Sequence, residues 1–323
     1  MIHENVEEQK EMFDTTKMND GIWVISSLHN FNIIEKLKAQ MISLGDYVGG
    51  ESYRGILTGL SKAFNIPVEK ANELITQDIR SEEILRPFLQ GRGLVAYGGA
   101  KAGSYLVFIP KGFTALQMGI DRERQELPSE TVAWDWFKDN YPAIASWLKQ
   151  FKKEAKARTD KGDYWWELRA CAYYKKFAQP KIFYQKFQVK PCFLYDNKHS
   201  LFNDSMWFLS VPDKSLLALL CSRIGWWLIT EFCPRIQNGA QLIWDNFRQI
   251  PIPQELPQVL NEYADKMMAV RNDEAEFLRL SKEIDNIIAT LYNLTEELNF
   301  IINNDTKCRM YDELNVHEYA EKK

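Results

Sequence analysis

Cysteine is scarce in this sequence: Cys171, Cys192, Cys221, Cys233 and Cys308 are the five, and no two form a C-x-x-C pair. An odd, dispersed set argues against a disulfide framework and against a zinc site of the usual spacing. The four histidines, His3, His29, His199 and His317, are just as scattered. Long apolar runs are missing too. The longest candidate, 215–232, is broken by Arg223 and Glu231, whereas a bilayer span needs roughly 18 apolar residues or more. The first residues, MIHENVEEQKEMFD, have neither the basic start nor the apolar stretch of a signal peptide. The expectation is a soluble, cytoplasmic protein without membrane partners.

Catalytic signatures are also lacking. No G-x-x-x-x-G-K-[ST] phosphate loop is present, and no G-x-G-x-x-G opens a helix. The glycine clusters at Gly91-Arg92-Gly93 and Gly98-Gly99 precede no helical pattern. G-x-S-x-G and H-E-x-x-H are absent. So is the Asn-Pro-Pro-aromatic motif of amino-methyltransferases. No carboxylate pair is singled out for acid–base work.

What the chain does have is core-forming material. Of 323 residues 46% are apolar and 13% aromatic, too many for a disordered chain and enough for one large domain or two ordinary ones. Its net charge of −4 argues at first against nucleic acid. That mean hides segregation. Residues 1–20 carry six acids and two bases, and residues 254–323 carry fifteen acids and eight bases. Residues 149–198 carry thirteen bases and five acids. A basic centre between acidic ends is a field that acts on partners, unless it is only a solvated lysine face.

The periodicities predict a mixed α/β (α+β) fold. A helix is expected over 26–42, where Leu28, Phe31, Ile34, Leu37 and Met41 recur at helical spacing. Turn-rich backbone with short strands should follow over 46–66, and a second helix should start after Pro67. Residues 94–120 read as β-rich, and 129–156 as helical with a break at Pro142. Strands are expected at 181–184, 192–195 and 206–211, and one apolar core helix at 214–232. Asn238-Gly239 reads as a turn. After Pro257 an amphipathic pattern runs to Leu291, as one long helix or two separated near Asn272-Asp273. The expected organisation is a lead-in over 1–20, a main domain over 21–253, a helical spacer or docking segment over 254–300, and a tail over 301–323.

Aromatics interleave with bases at Tyr164-Trp165-Trp166-Glu167-Leu168-Arg169, at Tyr173-Tyr174-Lys175-Lys176-Phe177 and at Lys181-Ile182-Phe183-Tyr184-Gln185-Lys186-Phe187. Bases neutralise phosphates and aromatics stack on nucleobases. The competing arrangement is a sheet whose inner face takes Phe183 and Phe187 while the lysines point to water, and for those two phenylalanines it is preferred.

Several blocks in series resemble one family. Gly55-Ile56-Leu57-Thr58-Gly59-Leu60-Ser61-Lys62-Ala63-Phe64 is similar to a G-[IL]-x-T-G-x-N-x-A-F block. Ile84-Leu85-Arg86-Pro87-Phe88-Leu89-Gln90-Gly91-Arg92 is similar to an I-[IL]-[KR]-P-[FL]-[LI]-R-G-R-D-I block. Then come Trp165 to Arg169, Pro180-Lys181-Ile182, Leu216 to Arg223, Ile250-Pro251-Ile252-Pro253, and Ile284-Asp285 to Thr295. In this order they resemble the C-terminal specificity (target-recognition) region of TaqI-like and Eco57I-like restriction–modification enzymes, which are adenine-specific DNA methyltransferases. The match spans roughly 20–300. Ser61, Gln90, Gly93 and Cys221 depart from the family pattern.

That resemblance implies a β-rich recognition domain with flanking helices that reads a short sequence in double-stranded DNA. Catalysis would belong to a methyltransferase or nuclease domain or subunit outside this chain. S-adenosylmethionine, and magnesium for a nuclease, would be held there and not here. DNA contacts are expected from Arg54, Thr58, Ser61, Lys62 and Arg92 around the glycine turns, and from Lys101, Lys175, Lys181, Lys186 and Lys190 as phosphate partners. A guanidinium can bind guanine O6 and N7 together. The expected alternatives are a carbohydrate- or protein-binding module that uses the ten tryptophans and fourteen tyrosines as platforms, and a methyltransferase in its own right.

Overall fold

The computed structural model describes residues 28–91, 94–98, 102–236, 239–270 and 273–297. The segments read as lead-in and tail, together with Arg92, Lys101, Cys308 and most of the Asn238-Gly239 turn, lie outside the described residues. The fold is mixed α+β. Its first part contains α1 (Leu28–Gln40), β1 (Ile42–Ser43), β2 (Ser52–Arg54), β3 (Asn65–Pro67), α2 (Val68–Gln77), β4 (Leu85–Leu89) and β5 (Ser104–Val107). Three helices follow: α3 (Glu130–Asn140), α4 (Pro142–Lys149) and α5 (Lys152–Ala157). Strands β6 (Lys181–Gln185), β7 (Phe187–Gln188), β8 (Phe193–Asp196), β9 (Leu201–Phe202) and β10 (Met206–Leu209) lead to α6 (Lys214–Leu220) and α7 (Arg223–Phe232). The last elements are β11 (Arg235–Ile236), β12 (Gly239–Gln241), β13 (Pro251–Ile252), α8 (Val259–Val270) and α9 (Glu274–Tyr292).

The central sheet has strand order β2-β10-β6-β8, all antiparallel. It forms a wall between two hydrophobic cores. Ile182, Tyr184, Phe193 and Leu209 face one core, filled by α6, α7, α8 and α9. Phe183, Leu194, Met206 and Phe208 face the other, filled by Phe64, Phe88, Phe137, Trp165 and Trp166. Side chains alternate across a strand, so a sheet covered on both faces gives strands that are apolar throughout. This geometry keeps Phe183 inside as expected but reverses the expectation for Lys181 and Phe187. Lys181 points into the second core and is fully buried, while Phe187, at the end of the run, is 56% exposed. With protein on both sides of β6, its lysine has no face toward water.

Caps set the helix boundaries. Ser129 Oγ accepts from Val132 N, Asp213 from Ser215 N and Leu216 N, and Asp273 from Glu276 N. Each such cap contributes about 1 kcal/mol. The single helix expected over 214–232 is two helices that meet at 71°. Ser222 caps α7 through Gly225 N, and a Cβ on Gly225 would lie 2.0 Å from the Leu219 carbonyl oxygen, so the bend requires glycine there. No single helix among the described residues is long and apolar enough to cross a membrane.

The region expected to be β-rich, 94–120, holds only one described strand, β5. Beyond it, Glu167 is fully buried and accepts from Gly112 N and Thr114 N, which starts a helical turn over Phe113–Gln117. The residue that caps this turn lies some fifty positions downstream, out of reach of local patterning. The segment read as a spacer, α8 and α9, places Leu260, Ala264, Phe277, Ile284 and Ile288 in the same core as α6 and α7. Asp285 forms a buried ion pair with Arg223 of α7.

Candidate nucleic-acid interface

The first resembling block lies where two distant stretches are clasped. Gly55 N donates to Met206 O and Ile56 N to Phe202 O, both at 2.8 Å. A Cβ on Gly55 would lie 2.0 Å from the Asn203 carbonyl oxygen, so only glycine permits this approach. Arg54, at the end of β2, donates to the Asp204 carboxylate at 2.8 Å and to the Asp204 carbonyl at 3.2 Å. Gly59 turns the chain in the left-handed region, at φ 68°.

Arg158 pins that turn from beneath. The residue is 7% exposed, and its guanidinium donates to the carbonyls of Thr58 (2.9 Å), Trp165 (2.7 Å), Glu167 (2.8 Å) and Ala155 (3.3 Å). It also lies over the Phe64 ring at 4.7 Å. Burial lowers the Arg158 pKa, with Asp160 acting in the other direction, and the four carbonyls accept the charge it retains.

A pocket of about 320 Å³ opens at this clasp, lined by Ile56, Leu57, Thr58, Gly59, Ser61, Asn65, Phe88, Asn203 and Asp204. Its rim is polar. Thr58 Oγ1 lies 3.4 Å from Ser61 Oγ, and Ser205 Oγ donates to Asn203 Oδ1 at 2.6 Å. The second resembling block arrives beside it. Gln185 Nε2 donates to Gly91 O, and Ser205 Oγ lies 3.0 Å from the position a Gly91 Cβ would take. The structure therefore brings the Gly55–Lys62 loop, the Gln90-Gly91 turn, the Asn203–Ser205 turn and the end of β6 to one surface.

The predicted contact residues divide. Arg54, Ser61, Lys62 and Lys175 are exposed. Lys62 pairs with Glu154 at 2.6 Å, and the Arg54–Asp204 pair is open to solvent. Exposed pairs of this kind contribute about 0–1 kcal/mol, so a phosphate can replace the carboxylate at little cost. Lys186 is half-buried and its ammonium lies over the rings of Phe187 and Trp207, at 6.0 and 5.9 Å. Thr58 is buried. Arg92 and Lys101 lie outside the described residues.

Lys181 and Lys190 are corrections: both are buried and unavailable to a duplex. Lys181 Nζ donates to Asp196 at 2.6 Å and to the Phe177 carbonyl at 2.8 Å. Burial opposes charge on Asp196, but the Lys181 ammonium and the N–H groups of Lys198 and Ser200 outweigh it and hold the carboxyl below its usual range.

Sequence reasoning missed Asp204, Gln185 and Trp207 as parts of this surface. The polar run Asn203-Asp204-Ser205 between two apolar strands is a legible turn signal. Its partner Arg54, 150 residues away, is not.

No family model and no curated protein matches the sequence. Among solved structures, the chain is similar to the Type IIL restriction–modification enzyme MmeI, a structure determined in complex with DNA. That alignment has a TM-score of 0.51 and 11% identity, over 80% of this chain and 35% of that one. An alignment with the Type IIG restriction endonuclease BpuSI has a TM-score of 0.43 and 11% identity, over 84% and 33%. The chain thus spans about a third of the length of the proteins it matches. What it shares with MmeI is a fold, found there as part of a restriction–modification enzyme.

Proposed function

We propose that this chain is a sequence-specific duplex-DNA recognition module of a restriction–modification system, with methyltransferase or nuclease chemistry supplied by another domain or subunit. The observation that carries the reading is the fold shared over 80% of the chain with an enzyme solved on DNA. The clasp supports it independently. Arg54, Ser61 and Lys62 stand exposed on one loop cluster beside a polar pocket, as groove readout by loops on a rigid scaffold requires. The basic stretch 149–198 contributes Lys175 and Lys186 from neighbouring elements as phosphate partners. Main-domain limits near 21–253 belong to the same proposal, with α8 and α9 as the side that meets a catalytic partner.

The carbohydrate reading is weaker on this structure. Every described tryptophan is buried or half-buried, so no described tryptophan presents a fully exposed ring to a sugar.

The test is fluorescence anisotropy with a random-sequence duplex pool, at low and physiological salt. Each phosphate contact contributes about 0.9 to the slope of log K against log salt. Salt-dependent binding, followed by enrichment of one short sequence from the pool, is the expected result. No binding at ~50 mM salt, where phosphate contacts are strongest, refutes it.

A further inference from the structure

A second surface adjoins the clasp and carries the opposite chemistry. The small sheet β11-β12-β7 is antiparallel, with Ile236 opposite Gly239 and Gln241 opposite Phe187. Opposed residues share a face and alternate residues return to it. Arg235, Ala240 and Gln188 therefore define one face, and Ala240 and Gln188 are buried there. Ile236, Gly239, Gln241, Phe187 and Val189 define the other. On that outer face Phe187 is 56% exposed, Val189 50% and Ile236 39%. Gly239 keeps its centre flat, since a Cβ there would lie 2.1 Å from the Gln188 carbonyl oxygen.

Large apolar side chains gathered on one strand face mark an interaction site. A cation stands at its rim: Lys186 lies over the Phe187 ring at 6.0 Å. The face is continuous with the clasp, because Gln185 holds Gly91 and the next two residues of the chain are Lys186 and Phe187. Apolar side chains beside a cation match a duplex whose sugars and base faces are apolar and whose borders are phosphate.

We propose that this face is a wedge that presses Phe187 and Ile236 against a base step and partly unstacks it, while Lys186 holds a flanking phosphate. The inference rests on the DNA-binding reading above. It adds that recognition includes local deformation of the duplex. Inserted apolar side chains unstack a step at a cost of a few kcal/mol, recovered through additional contacts. A step already weakened removes part of that cost, so the wedge has a measurable signature.

The experiment uses the full chain and a fixed duplex of about two helical turns, intact or with a central nick. The wild-type protein should bind the nicked duplex about tenfold more tightly than the intact one. The double variant Phe187→Ala/Ile236→Ala should bind both alike, with the salt slope of the wild type because phosphate contacts remain. Both positions are exposed, so the fold is retained, as circular dichroism melting will verify. Phe187→Trp should keep the preference. Equal affinity of the wild type for both duplexes, or a preference that survives in the double variant, overturns the wedge and leaves DNA binding standing. Failure to bind either duplex at ~50 mM salt overturns the DNA reading and the wedge together. A wild type that sediments as a dimer where the double variant is a monomer assigns the face to a second copy and overturns the wedge.

Discussion

Replacing Lys181 with Met tests how this fold divides its lysines between architecture and binding. Lys181 Nζ is fully buried against Asp196 and the Phe177 carbonyl. Methionine keeps most of the volume but leaves the Asp196 carboxylate without its cation. Removing one partner of a buried pair costs about 3–5 kcal/mol. Asp196 keeps hydrogen bonds from Lys198 N, Ser200 N and Ser200 Oγ, which places the loss toward the lower end. A urea melt reads this as a midpoint lower by about 1–1.5 M, taking a slope of about 2–3 kcal/mol/M.

The pH dependence carries a second signature. In the wild type the Asp196 carboxyl is held below its usual range, so its contribution is present above the unfolded carboxylate pKa of about 4 and is lost as pH falls through the folded value. In the variant the cation is gone and burial favours the protonated acid. The stability gap should therefore narrow between neutral pH and about pH 4. The salt slope of DNA binding should be unchanged, whereas Lys62→Gln or Lys186→Gln should reduce it by about 0.9 each. A loss below about 1 kcal/mol, the level of an exposed pair, or a gap that widens on acidification, refutes the reasoning.

Other outcomes follow from the clasp and the cores. Arg158→Ala should lower stability by about 3–5 kcal/mol in urea melts, because four buried carbonyls lose a charged donor; Arg158→Lys should recover less than half. Gly55→Ala should cost about 1–3 kcal/mol or more, since the new methyl meets the Asn203 backbone, and should weaken duplex binding by shifting Arg54. Alkylation under native conditions should spare Cys192, Cys221 and Cys233. All three are buried, and burial pushes the Cys233 thiol up to about 12; denaturation in urea should expose all three to the reagent.

Much of the architecture was legible from local signals. Pro67 and the spacing of Val68 to Gln77 define α2, Pro142 divides α3 from α4, and Asp273 separates α8 from α9. The errors came from partners far away in sequence. Lys181 opens its strand at the polar end of an apolar run, where a lysine usually reaches water, and only the second core on the far side of β6 makes it internal. Phe187 looks like a core residue by type, yet it falls where β6 has ended and a smaller sheet turns outward. The site was half legible for the same reason. Glycines marked the Gly55–Gly59 turn, but Asp204 and Gln185, which fix its neighbours, carry no local mark.

The pairing of β1 with β13 bears on how such a module can be moved between proteins. Ile42 lies opposite Ile252 and Ser43 opposite Pro251, so the chain enters and leaves the intervening 207 residues through two strands about 5 Å apart. A transplant cut at that point would need one junction, but it would not be self-sufficient. Leu216, Trp227 and Phe247 pack in the same core as Ile33, Leu37, Leu260 and Ile284, which lie beyond the cut. Exchanging this segment between relatives of the fold therefore requires taking α1, α8 and α9 with the strands, or finding a host whose own helices present the same apolar surface.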